Sequence, residues 1–207
     1  NRFLFTIKDF EWNNSLTPEI YIKLHGVEII NDEIRFIPAN DEALELVIEM
    51  NRFDSKHQLI NLLNSNLINL EDCFKIGQQL GERSKHLPRI EHQKTAYEDF
   101  LSRYNDIIPW VNSVESIPKE KIDRLLIFLK DYINEHRDEL NSVDLMGTCI
   151  DLHIDNAVYD KGNFLPIDIF APKEEWLHGY KFLNLYRIAT DIYGFLGKKG
   201  FDQVLSG

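Results

Sequence analysis

Residues 151–170 read DLHIDNAVYDKGNFLPIDIF, and the fold turns on how this stretch is read. Two β-forming runs, Asn156–Tyr159 (NAVY) and Phe164–Phe170 (FLPIDIF), flank Asp160-Lys161-Gly162, a turn signal that joins them as a hairpin. Asp151 and Asn156 precede or open the first run, where both residue types favour turns. Asp168 stands in the second run between Ile167 and Ile169. A carboxylate bracketed by apolar side chains is uncommon unless it pairs or binds something.

Working outward, the chain before this hairpin divides by texture. Residues 1–16 space Phe3, Ile7, Phe10 and Trp12 as an amphipathic helix does, and Thr17-Pro18 ends it. Ile20–Ile30, Glu33–Ile37 and Leu44–Met50 read as strands, with Asn31-Asp32 as a turn. The spacing then predicts helices over Ser55–Leu63, with Ser55 as cap, and over Leu70–His86, capped by Asn69 and ended by Pro88. A further helix runs from about Ile90 to Tyr104. Pro118–His136 is the strongest amphipathic pattern, with Pro118 at its first position. After the hairpin, Tyr180–Leu196 and Phe201–Leu205 read as helical. The order predicts an α+β chain: residues 1–50 form a helix and a small antiparallel sheet, and residues 51–207 a mostly helical lobe that carries the hairpin.

Composition narrows the classes. Acidic residues number 34 against 23 Lys and Arg, a net charge of -11, so nucleic-acid binding is not expected, because phosphate contacts need a basic surface. The acidic surface suits cationic or neutral ligands, and a small hydroxylated, cationic substrate is one such ligand. No apolar run is long enough to span a bilayer and no signal-peptide pattern opens the chain. Cys73 and Cys149 form no CxxC pair, which fits free thiols in a reducing cytoplasm. The chain opens on Asn1 rather than Met, so further residues are expected upstream.

The chemistry gathers on the hairpin. Phosphoryl transfer needs an acceptor hydroxyl held in line, a group to take its proton, and magnesium to bridge the nucleotide phosphates. Magnesium favours hard oxygen ligands, which Asp and Asn supply. Kinase catalytic loops place an Asp five residues before an Asn, as D-L-x-x-x-N, and Asp151, Leu152 and Asn156 have that spacing. The hairpin then delivers Asp168 to the same place. The residues leave a second reading open. In a strand, Asp151, His153 and Asp155 would share one face, as a metal-dependent hydrolase could use them.

DLHIDNAVYDKGNFLPIDIF resembles the HGDLHxxNxxxxxGxxxxID segment of the aminoglycoside phosphotransferase and choline kinase-like superfamily. More narrowly, it is similar to the bacterial aminoglycoside phosphotransferase family enzymes that are often fused to a P-loop kinase domain. SLTPEIYIKLHGVEI, LELVIEMNRFD, LINLEDCFKIGQQLGERSKHLP and LNLYRIATDIYGFLGKKGFDQVL resemble that group's helix-to-strand segment, hinge, first large-lobe helix and C-terminal region, in the same order. The resemblance implies a protein-kinase-like two-lobed fold with an incomplete N-terminal β lobe. It implies phosphoryl transfer from ATP or GTP, with Mg2+, to a hydroxyl of a small molecule. Asp151 would be the catalytic base or acceptor-orienting group, Asn156 and Asp168 the metal ligands, and His153 would shape the loop. Glu49, Met50 and Asn51 would face the adenine. The opening helix would offer Asp9 or Glu11 to a nucleotide-binding Lys that lies upstream together with the glycine-rich strands. A fused or associated P-loop domain is a further implied partner.

The sequence departs from that pattern in three places. Cys149-Ile150 replaces His-Gly before the catalytic Asp. Ala171 stands where a Glu usually follows the metal Asp. Asn184 replaces the Asp of the C-terminal region. These departures support an alternative, a catalytically degenerate kinase-like module that binds a ligand or partner. Intact Asp151, Asn156 and Asp168 oppose it.

Overall fold

The computed structural model describes residues 2–88, 94–143, 145–149, 151–170, 177–180 and 182–207. The expected helix start at Ile90 and the departures at Ile150 and Ala171 lie outside the described residues. In chain order the elements are α1 (Arg2–Leu16), β1 (Tyr21–Ile30), β2 (Glu33–Pro38), β3 (Glu45–Met50), α2 (Leu59–Asn64), α3 (Leu70–Ser84), α4 (Ala96–Asn112), α5 (Lys119–Glu135), α6 (Arg137–Asn141), β4 (Leu145–Gly147), β5 (Ala157–Asp160), β6 (Asn163–Pro166), β7 (His178–Tyr180) and α7 (Leu183–Ser206). The chain is α+β with small sheets, of which β2–β1–β3 and β5–β6 are antiparallel. No helix among the described residues is long and apolar enough to cross a membrane.

Packing groups the chain into two compact units. The first holds Asn1–Arg89, Gly147–Leu177 and Phe182–Gly207, so the N-terminal helix and sheet share a unit with the 151–170 hairpin and α7. The second holds Ile90–Met146 and His178–Lys181.

In the first unit, β1 and β2 are joined by Asn31 and Asp32, both at positive φ (52° and 62°), the two-residue turn whose twist matches a hairpin. Asn and Asp tolerate that conformation better than other side-chain-bearing residues. Ile20, Tyr21, Val158 and Ile167 form a buried cluster with Phe10, Ile48, Phe53 and Leu165 packed against it, which ties the sheet to the β5–β6 hairpin. That hairpin turns through Lys161 (φ 50°) and Gly162 (φ 83°). Gln79 of α3 braces the turn: its Nε2 donates to Gly162 O (2.7 Å) and its Oε1 accepts from Phe164 N–H (2.8 Å). Beneath, α3 and α7 approach so closely at Gly77 that a Cβ there would lie 1.9 Å from the Val204 carbonyl oxygen. In the second unit, α4 and α5 pack through Tyr104, Ile122, Leu126 and Ile133, and the buried Asp99 pairs with Arg103 (2.7 Å).

Several expectations need correction. Asp54, not Ser55, accepts the capping hydrogen bond from Lys56 N–H, and the 3-10 turn it caps (Ser55–His57) precedes a separate α2. The described part of the third long helix begins at Ala96, capped by Thr95 with Glu98, and runs past Tyr104 to Asn112. Pro118 caps α5 from outside. Tyr180 belongs to β7, and α7 continues through the break at Gly197 (φ 61°). The second hairpin strand ends at Pro166 rather than Phe170, because Asp168 adopts a left-handed φ of 51° that no strand contains.

Candidate functional site

The 151–156 segment is not a strand, so Asp151, His153 and Asp155 do not line one strand face. Leu152 and Ile154 are buried and alternate with exposed or half-buried polar residues, which imitates a strand in sequence. Ile154–Asn156 instead form a 3-10 turn capped by His153, whose Nδ1 accepts from Asp155 N–H (3.3 Å). The same ring places Nε2 3.9 Å from Asp151 Oδ1. His153 therefore shapes the loop through its cap.

Helix α7 holds this loop from below. Buried Asn184 accepts the Cys149 N–H through Oδ1 (2.9 Å) and donates through Nδ2 to Ser84 Oγ (3.1 Å). Arg187 donates to the Cys149 carbonyl. Asp191 Oδ2 accepts the Ile154 N–H (3.1 Å). The amide at Asn184 thus supplies the acceptor oxygen that a carboxylate would have supplied. Cys149 is fully buried, and burial pushes its thiol well above the ordinary range, so it packs rather than reacts.

The Asp168 turn is held from the N-terminal elements. Asp168 N–H donates to the Tyr21 hydroxyl (2.8 Å) and Ile169 N–H to Asn13 Oδ1 (3.0 Å). Asn13 Nδ2 in turn donates to the carbonyl (3.0 Å) and carboxylate (2.7 Å) of Asp9. Ile167 and Ile169 are buried while Asp168 is exposed, so the core anchors both flanks of the carboxylate.

Asn156 joins the two sides. Its Nδ2 reaches the Asp151 carbonyl (3.0 Å), Asp151 Oδ2 (3.4 Å) and the Asp168 carbonyl (3.3 Å). The backbone follows: Ile167 N–H donates to Asn156 O (2.9 Å). Asp151, Asn156 and Asp168, separated by up to 17 positions in sequence, are one cluster.

The electrostatics of the cluster are lopsided. Among the described residues the Asp168 carboxylate makes no hydrogen bond and no ion pair. Burial, and then the Asp168 charge, raise the Asp9 carboxyl above its ordinary value, against the lowering effect of Asn13. Burial is also the main cause that pushes the Tyr21 hydroxyl up to about 12, with Asp168 and Asp9 adding to it. A second negative charge beside the half-buried Asp9 carboxyl favours a cation near the pair. The donor types suit a hard divalent ion: the exposed Asp168 carboxylate, and the side-chain oxygen of Asn156, whose Nδ2 reaches the Asp168 carbonyl. No group of three or more His, Cys, Asp and Glu among the described residues is placed to enclose a metal. Magnesium needs no such cage, since it binds one or two carboxylates and completes its shell with water and phosphate oxygens.

The hinge residues are placed less uniformly. Glu49 Oε2 pairs with His25 Nε2 (2.6 Å), and Met50 is exposed at the end of β3. Asn51 turns its donors to the preceding segment, N–H to Ile20 O (2.8 Å) and Nδ2 to Glu19 O (2.9 Å). Of the three, Asn51 lines a cavity of about 290 Å³ whose walls include Ile20, Phe53, Val158, Leu165 and Asp160. Of the two acids proposed for an upstream Lys, Asp9 is half-buried and faces Asp168, whereas Glu11 is exposed.

No protein-family model matches the chain, and no curated protein matches it significantly.

Sequence reading missed Asn13, Tyr21 and Asp191. Asn13 carried a signal: it lies on the helix face of Asp9 and Leu16, at i, i+4 and i+7, where a buried amide must find partners. Tyr21 and Asp191 reach the site through single hydrogen bonds to distant backbone, and nothing local to either residue announces that.

Proposed function

We propose that this chain carries the catalytic part of a small-molecule phosphotransferase with a protein-kinase-like two-lobed fold. It would move the terminal phosphoryl group of ATP or GTP to a hydroxyl of a small molecule, with cationic substrates suited to the acidic surface. The observation that carries the reading is the Asn156 amide, which bridges Asp151 to Asp168 while the Asp168 carboxylate is exposed and has no partner among the described residues.

In this reading Asp151 accepts the proton of the attacking hydroxyl, and its exposed carboxylate gives a substrate access. Asn156 and Asp168 would hold Mg2+, which when bound neutralises charge on the nucleotide phosphates. Asn156 Nδ2 keeps the proton-accepting and metal-holding sides in register. His153 and α7 fix the loop backbone that aims Asp151. The cavity beside Asn51, lined by Phe53, Val158 and Leu165 together with polar residues such as Arg52 and Asp160, supports a place for a base with an apolar face and a polar edge. A cytoplasmic setting agrees with two buried free thiols.

Calorimetric titration of the full chain with ATP, with and without Mg2+, tests the reading. Mg2+-dependent binding in the wild type that Asp168→Ala abolishes is the expected result. Equal ATP binding by wild type and variant, or none by either, would overturn it and favour the degenerate binding module.

A further inference from the structure

We infer that Asn13 and Tyr21 are positioning residues for the Asp168 carboxylate, clamping two successive backbone amides from α1 and β1. The inference rests on the phosphotransferase reading only in taking Asp168 as a metal ligand.

The argument begins with the backbone. Asp168 is a non-glycine residue at φ 51°, an unfavourable conformation that persists only where the surroundings over-determine it. Two side chains do so here. Tyr21 takes the N–H of Asp168 itself, and Asn13 takes the N–H of the next residue. Both are nearly sealed from water, at 4% and 1% exposure, so solvent cannot substitute for either acceptor.

The clamp is also oriented. An amide can flip end for end, but Asn13 Nδ2 is held by two oxygens of Asp9, which leaves Oδ1 aimed at Ile169 N–H. Asp9 thereby sets Asn13, and Asn13 sets residue 169. Because side-chain direction follows backbone φ, releasing either amide frees the residue 168 backbone, whose carbonyl meets Asn156 Nδ2, and with it the direction of the carboxylate. A metal site built from two protein oxygens would feel that directly, as ligands are tuned by the groups that orient them.

The test uses Mn2+ as a probe for the Mg2+ site, measured with the full chain as the water-proton relaxation enhancement of the Mn2+–ATP complex, which separates protein-bound ion from Mn2+–ATP free in solution. Tyr21→Phe keeps the ring in the core and removes only the hydroxyl. We expect its Mn2+ affinity to fall by roughly tenfold, within the range that orienting partners typically control. Amide exchange at Asp168 should accelerate in the same variant without metal. Asn13→Ala should weaken Mn2+ likewise, so the pair guards against one variant failing to fold. Mn2+ affinity unchanged in a folded Tyr21→Phe protein would overturn the clamp while leaving the phosphotransferase reading intact. A wild-type chain that binds no Mn2+ would overturn both.

Discussion

The Asp151 loop and the Asp168 turn meet at one amide but are held by opposite ends of the chain. The loop hangs from α7, through Asn184, Arg187 and Asp191. The turn hangs from α1 and β1, through Asn13 and Tyr21. The loop's anchors include buried, neutral amide chemistry that serves structure first. The turn's anchors stand beside two carboxylates that repel. The difference teaches that the Asp151 loop is built for rigidity, whereas the Asp168 turn presents an exposed charge that, in the proposed function, a cation would relieve.

The comparison can be broken first at Asn184. Asn184→Leu leaves the Cys149 N–H buried without an acceptor, which should cost roughly 2 kcal/mol and lower Tm by about 4–8 °C. Asn184→Asp should cost far less, because a carboxylate oxygen can also accept that N–H. Thermal unfolding checks both, and equal losses would mean the hydrogen bond is not what α7 contributes.

A smaller effect sharpens the other side. Asp9 is raised by burial and by Asp168. The folded chain therefore holds that proton more tightly than the unfolded chain. The benefit is complete below the ordinary value of 3.8 and is lost as pH rises through the raised one. Without metal, Asp9→Asn should gain Tm over wild type by roughly 1–2 °C on going from pH 4 to pH 7. Tm differences that stay flat with pH would show that Asp9 does not feel Asp168.

The hairpin was legible because its signals are local. Asp160-Lys161-Gly162 marks a turn, and the β-forming runs on either side of it need no tertiary knowledge. Asp168 stood out in the sequence as a candidate, but its turn did not. Buried Ile167 and Ile169 around an exposed Asp give the same alternation in a strand and in a left-handed bend, and φ is not written in a period of two. The Asp151–Asn156 spacing singled out the candidate loop, yet the contact of Asn156 with the Asp168 carbonyl depends on where the hairpin returns. Asn13 was hidden because helix periodicity ranks apolar residues, and the residues α1 buries most deeply include an amide.

The central claim is that the two sides form one nucleotide–metal site. Backbone NMR of the full chain titrated with Mg2+ and ATP maps that site directly. The account predicts joint perturbation of the Asp151, Asn156 and Asp168 amides together with Asn51 and Phe53, and no such pattern with ATP alone. Perturbations confined elsewhere, or none at saturating Mg2+ and ATP, would contradict it.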